Sequence, residues 1–165
     1  MSKIVMAIGI FLICLVSACT TASPCTNGWV LYEEKCYFYS NFKETWHTAS
    51  AYCQAFNSKL AEPKTQEEVV FLSQQAAQTV NDSQYFIGVT DAFLEGEWVY
   101  ASSRIPIKVT IPWTHSGPQH SQEQDFVATD TLPPVNGQYT KKTSTDTSNF
   151  ICEYSLDVEP VLVIG

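Results

Sequence analysis

The sequence predicts an α+β fold of two helices and short strands, with a long irregular loop region and two disulfides. Three observations predict it. Aromatic, β-favouring runs stand at both ends of the core: Trp29–Tyr32 with Cys36–Ser40, and far downstream Asn149–Tyr154. Two stretches between them carry apolar residues at helical spacing. Cys25, Cys36, Cys53 and Cys152 remain once an N-terminal leader is set aside, an even number that suits an oxidising compartment.

The leader comes first. Met1-Ser-Lys3 is short and positive, and Ile4 to Val16 is an unbroken apolar run of thirteen residues. A transmembrane helix needs about 20. The small residues 17–23 follow, so residues 1–23 read as a secretory signal peptide, with cleavage after Cys19, Ala22 or Ser23. A retained anchor is the alternative. Val16-Ser-Ala-Cys19 also has the form of a bacterial lipoprotein signal. The domain then spans 24–155 and leaves a short C-terminal tail, 156–165.

In the domain, Glu33-Glu34-Lys35 separates two β-favouring runs and reads as the turn of a hairpin. Trp46, Ala49, Cys53 and Phe56 recur at steps of three and four, which predicts a helix burying one stripe and stopping at Asn57. Thr65-Gln-Glu-Glu68 has the form of a capping box, because hydroxyl and carboxylate can each satisfy a free backbone N–H at a helix start. Val69, Val70 and Leu72 to Ala76 continue that second helix. Asn81-Asp82-Ser83 is an N-glycosylation sequon in the following loop, making Asn81 a candidate glycosylation site. Tyr85–Val89 and Glu97–Tyr100 read as short strands, the second set off by Gly96. Residues 101–148 are rich in Ser, Thr, Pro and Gln, with Trp113, Phe126, Val127 and Tyr139 as rare apolar points. They read as a long loop region with short strands, the kind of segment that carries binding. Asn149–Tyr154 closes the domain.

Charge and residue types exclude several functions. A formal charge of −8 argues against nucleic acid and anionic membrane partners, since both reward Lys and Arg. The cysteines lack the close pairs of a zinc site, so they read as disulfides, with three connectivities open. His47, His115 and His120 are the only histidines, and no nucleophile elbow, zinc-protease helix or phosphate loop is present. No enzyme is expected.

Taken in order, Cys25…Cys36, Trp46-x-x-Ala49-x-x-x-Cys53, Leu60-Ala61, Phe86-Ile87-Gly88-Val89, Gly96-Glu97-Trp98-Val99-Tyr100, Trp113 and Ile151-Cys152-Glu153 resemble the C-type lectin-like domain from about Cys25 to Tyr154. The resemblance implies two helices flanking small antiparallel sheets, a Cys25–Cys36 bridge at the base, and a Cys53–Cys152 bridge tying the first helix to the last strand. An animal-type secreted module also weakens the lipoprotein reading of the leader.

The departures matter more. Sugar-binding members hold calcium in the long loop through a Glu-Pro-Asn or Gln-Pro-Asp triplet and a Trp-Asn-Asp triplet. Here Gly117-Pro118-Gln119 and Tyr139-Thr140-Lys141 stand at those places. Calcium wants six to eight hard oxygens. A lysine at the aspartate position, with Lys142 beside it, opposes the ion. Glu123, Asp125 and Asp130 do not rebuild the set, so no metal and no cofactor is expected at the usual site. The inner disulfide of the family is replaced by Phe126 and Ser144, with Phe126 expected to pack into the core instead.

The resemblance therefore implies a secreted, extracellular, non-catalytic recognition module for a glycan or glycoprotein, without the usual calcium. Candidate ligand contacts are Gln119, Gln122, Tyr139, Lys141 and Lys142, with Trp113 better placed as core. The alternative is a module of the same fold that binds a protein or mineral surface and has lost sugar binding. A calcium-dependent lectin with a rearranged site is the third reading. Neither nucleic acid nor membrane is expected as a partner.

Overall fold

The computed structural model describes residues 23–79, 83–114, 123–131 and 137–156. The order of elements is β1 (Val30–Tyr32), β2 (Lys35–Tyr39), β3 (Glu44–Thr45), α1 (Trp46–Ala55), β4 (Lys59–Leu60), α2 (Gln66–Thr79), β5 (Gln84–Thr90), β6 (Val99–Tyr100), β7 (Phe126–Asp130), β8 (Gln138–Lys142) and β9 (Thr147–Ser155). The two helices and the closing strand fall where the sequence puts them, except that Phe56, expected in the buried stripe of the first helix, lies just past its end and is exposed. The 97–100 strand is shorter than expected, and the hairpin turn is tighter. Lys35 already pairs with Tyr32, leaving Glu33 and Glu34 as a two-residue turn with Glu33 at a φ of 52°.

Both helix starts and the end of α1 are closed by specific caps. Thr45 caps α1, its hydroxyl accepting from the Thr48 N–H. Beyond Phe56, Asn57 takes the left-handed φ of 53°, while the Asn57 and Ser58 N–H groups donate back to Gln54 O and Cys53 O. That is the Schellman ending, which satisfies two orphan carbonyls. At α2 the capping box is formed both ways: Glu68 N donates to Thr65 Oγ1 at 3.1 Å, and Thr65 N to Glu68 Oε2 at 3.3 Å.

The strands join in the order β1-β2-β9-β5-β7-β8, with β3 and β4 also on β9 and β6 on β5. Strand side chains alternate between faces, and here each face has its own helix. Tyr37, Tyr85, Ile87, Val127, Tyr139 and Ile151 pack with Val69, Leu72 and Ala76 of α2. Phe86, Phe126, Ala128, Phe150 and Cys152 pack with Trp46, Ala49 and Cys53 of α1. A sheet covered on both faces explains why Tyr85–Val89 and Phe126–Val127 read as unbroken apolar runs.

The two disulfides are Cys25–Cys36 and Cys53–Cys152, the pairing that the resemblance implies. Phe126, at an inner-disulfide position, is 2% exposed and stacks on Trp46 at 4.7 Å between centroids. Gly88 shows why its strand needs glycine. A Cβ there would lie 2.7 Å from Leu60 O and 2.9 Å from Glu62 Cγ, and Gly88 N donates to Ala61 O at 2.8 Å. The β4 segment thus rests directly on the β5 backbone.

Candidate ligand-binding site in the long loop

The long loop leaves the sheet after β6 and is anchored at several described points. Tyr100 OH donates to Pro63 O at 2.7 Å, and Ser102 N to Glu62 Oε1 at 2.7 Å. Further along, the Gln66 side chain donates to Thr110 O at 3.0 Å and accepts from Thr110 N at 3.1 Å. The returning segment then pairs with β8: Tyr139 N donates to Pro112 O at 2.8 Å and Thr114 N to Tyr139 O at 2.9 Å. Backbone groups of the loop are thereby satisfied without regular structure.

Two tryptophans fill the space enclosed by these anchors. The Trp98 and Trp113 rings lie 5.1 Å apart, and both pack on the α2-side core. The Lys141 ammonium stands 5.1 Å from the Trp98 centroid, within cation–π range. Beside it lies Asp91, which is 2% exposed. Asp91 Oδ2 accepts from Gly96 N at 3.1 Å, and its own N–H donates to Asp125 O at 3.2 Å. Burial pushes the Asp91 carboxyl up; the Gly96 N–H and the Lys141 charge oppose this, and the charges of Glu95 and Asp125 add to it. The loop therefore holds carboxylates, one chain-borne cation and an aromatic pair in one place. That combination can stack a ring and accept or donate hydrogen bonds at its rim.

The lectin C-type domain pattern matches residues 42–154. Lectin BRA-3 of Megabalanus rosa is 30% identical over 159 residues, covering 92% of this chain and 91% of that protein. This chain belongs to the C-type lectin domain family. Among solved structures, a mouse scavenger receptor C-type lectin carbohydrate-recognition domain aligns with a TM-score of 0.70 at 25% identity, over 81% of this chain and 99% of that one. A calcium-independent type II antifreeze protein shares the fold, with a TM-score of 0.68 at 19% identity over 82% and 98%. As a C-type lectin domain the protein is a recognition module and not an enzyme.

The lectin fold sorts the candidate contacts in an unexpected way. Tyr139 is a correction: it is fully buried, and its hydroxyl donates to Val69 O at 2.7 Å. Burial pushes that hydroxyl far above the usual range, so it stays a neutral donor. It is a core side chain that binds β8 to α2, not a ligand contact. Lys141 does reach the loop site. Lys142 does not share it: Lys141 lies opposite Val127 and Lys142 opposite Phe126, so they face opposite sides of the sheet. Gln119, Gln122 and the sequon at Asn81 lie outside the described residues. Trp113 is half-buried against the core, as expected.

Three residues of the site were not singled out from sequence. Trp98 reads there as part of a strand and Gln66 as one polar residue in a helix start, and Asp91 lies just past the strand expected over Tyr85–Val89. Only Asp91 carried a signal: an acid directly after an apolar strand, at a sheet end where loops gather. Among the described residues, no group of three or more His, Cys, Asp or Glu is placed to hold a metal ion. No described helix is long and apolar enough to cross a membrane.

Proposed function

We propose that this lectin domain is a secreted module that binds a glycan or a glycosylated surface through its long loop, without calcium at the usual site. The single observation that carries the reading is Lys141. Its ammonium stands over the Trp98 ring, and its charge acts on the buried Asp91 carboxylate. The positive charge in the loop is supplied by the chain, and a divalent ion placed there would meet it as a repulsive neighbour. The Trp98–Trp113 pair and the amide-rich 112–124 segment offer what a sugar ring needs, an aromatic face and polar rims. Secretion is supported by the leader at 1–23 and by the two disulfides.

The test is a glycan array on the oxidised protein, run with calcium and with EDTA, beside a calcium titration by calorimetry. The expected result is specific glycan binding that EDTA does not change, and no micromolar calcium isotherm. Binding abolished by EDTA would overturn it.

A second reading is favoured by one observation. Tyr139 is withdrawn into the core and Lys141 is engaged internally, which leaves fewer groups for a sugar. On that reading the domain binds a protein or mineral surface, and a blank array in both buffers is its expected signature. The calcium-independent antifreeze protein illustrates that the fold serves without the metal.

A further inference from the structure

On the α2 face, three buried glutamates meet three lysines. Glu62, Glu68 and Glu153 have side chains 1%, 4% and 3% exposed. Lys35 Nζ lies 2.5 Å from Glu68 Oε1, and Lys59 Nζ lies 2.6 Å from Glu62 Oε2. Glu153, on the last strand, has the poorest share of both: 3.7 Å from Lys35 and 3.6 Å from Lys59. Its Oε2 is buried without a hydrogen-bond partner. Lys59 also donates to Ser102 Oγ at 3.2 Å, and Ser102 donates twice to Glu62. Ser102 is where the long loop begins, so one lysine links the Glu153 carboxyl to the base of that loop.

The groups facing Glu153 from each packed element are Lys35 and Tyr37 of β2, Lys59 of β4, Glu62 and Lys64 after it, Glu68 of α2, and Tyr100 of β6. Two of these are committed elsewhere. Tyr37 OH donates to Glu68 Oε1 at 3.1 Å, and the Lys64 ammonium sits over the Tyr100 ring. Tyr37 therefore has no hydrogen left for Glu153, and Lys64 acts on it only through its charge, while the Glu62 backbone N–H gives Glu153 one hydrogen bond.

We propose that Glu153 is a proton-sensitive clasp: when it is neutral, Lys59 and Lys35 commit to Glu62–Ser102 and Glu68, and when it ionises it competes for both lysines and loosens the base of the long loop. Burial pushes its carboxyl from 4.5 up to about 7, with the charges of Lys35 and Lys59 opposing. A carboxyl raised in the folded state binds more protons there than in the unfolded chain. Stability therefore falls as pH rises between those two values. The inference does not rest on the sugar reading, and its test uses no ligand.

The experiment compares the intact protein with Glu153→Gln, which mimics the neutral carboxyl, by thermal melting and amide exchange from pH 5 to 8. The melting temperature of the intact protein should fall by roughly 3–8 °C across that range relative to the variant. Protection of the amides at residues 101–104, taken relative to their intrinsic exchange rates at each pH, should fall several-fold over the same range in the intact protein and not in the variant. Parallel curves would overturn the proposal. Should the variant fail to fold, a carbon-13 titration of the Glu153 carboxyl in the unaltered protein decides. A midpoint well above the ordinary value supports the clasp, and one at or below it refutes the clasp.

Discussion

The Gln66 side chain pairs with the Thr110 backbone in both directions, donating at 3.0 Å and accepting at 3.1 Å. A residue at the start of α2 thus stands in for a β-strand partner and holds the middle of the long loop. Neither described disulfide reaches this segment, so the amide clamp is one of the loop's fastenings.

Gln66→Ala should release that fastening. Two partly exposed hydrogen bonds together contribute about 1–2 kcal/mol at most. The expected outcome is faster amide exchange at Thr110, with the melting temperature lowered by only a few degrees. An unchanged exchange rate at Thr110 would mean the loop is held without Gln66.

Gly88→Ala should be costly although the change is one methyl group. The added carbon would stand 2.7 Å from the backbone oxygen of Leu60, which cannot swing away like a side-chain end. Overpacking of this kind costs about 1–3 kcal/mol or more. Urea denaturation reads it, and a midpoint equal to that of the unaltered protein would contradict the close approach.

Phe126→Ala should expose how the domain manages without the inner bridge. The ring stacks on Trp46 and also meets His47 edge-on at 5.2 Å. Loss of a buried phenylalanine costs about 3–5 kcal/mol. The change should be visible in denaturant unfolding and in the near-ultraviolet signal of Trp46.

Removing the Cys53–Cys152 bridge should cost more than removing the Cys25–Cys36 bridge. The sequence separations are 99 and 11 residues, and loop entropy favours the longer by about 2 kcal/mol. Paired Cys→Ala variants, compared by melting temperature, test the order.

Below about pH 4.5 the protein should lose stability through Glu62 and Glu68. Burial pushes both carboxyls up, yet the Lys59 and Ser102 bonds at Glu62, and the Lys35 and Lys64 N–H bonds at Glu68, outweigh it and leave both lowered. A lowered carboxyl contributes stability above its unfolded value, and that stability is lost as pH falls through the folded one. Glu62→Gln should flatten the acid limb of a melting curve recorded from pH 5 down to pH 2, whereas an unaltered limb would place the acid sensitivity elsewhere.

Much of this protein is legible in its sequence because local rules decide it. Thr65 and Glu68 announce the start of α2, Asn57 the end of α1, and the spacing of Trp46, Ala49 and Cys53 the stripe that α1 buries. The family resemblance rests on such residues, and both disulfides and the burial of Phe126 follow it. What tertiary structure alone decided is which face each side chain meets. Tyr139 and Lys141 share a face of β8, yet one donates to Val69 O inside the core and the other reaches the loop, while Lys142 turns to the opposite side. Trp98, Asp91, Gln66 and Glu153 gain their importance from partners far along the chain, at Trp113, Asp125, Thr110 and Lys59. Local propensity and spacing report a residue's neighbours along the chain. Burial, unshared charge and hydrogen-bond competition arise only when distant segments are packed together.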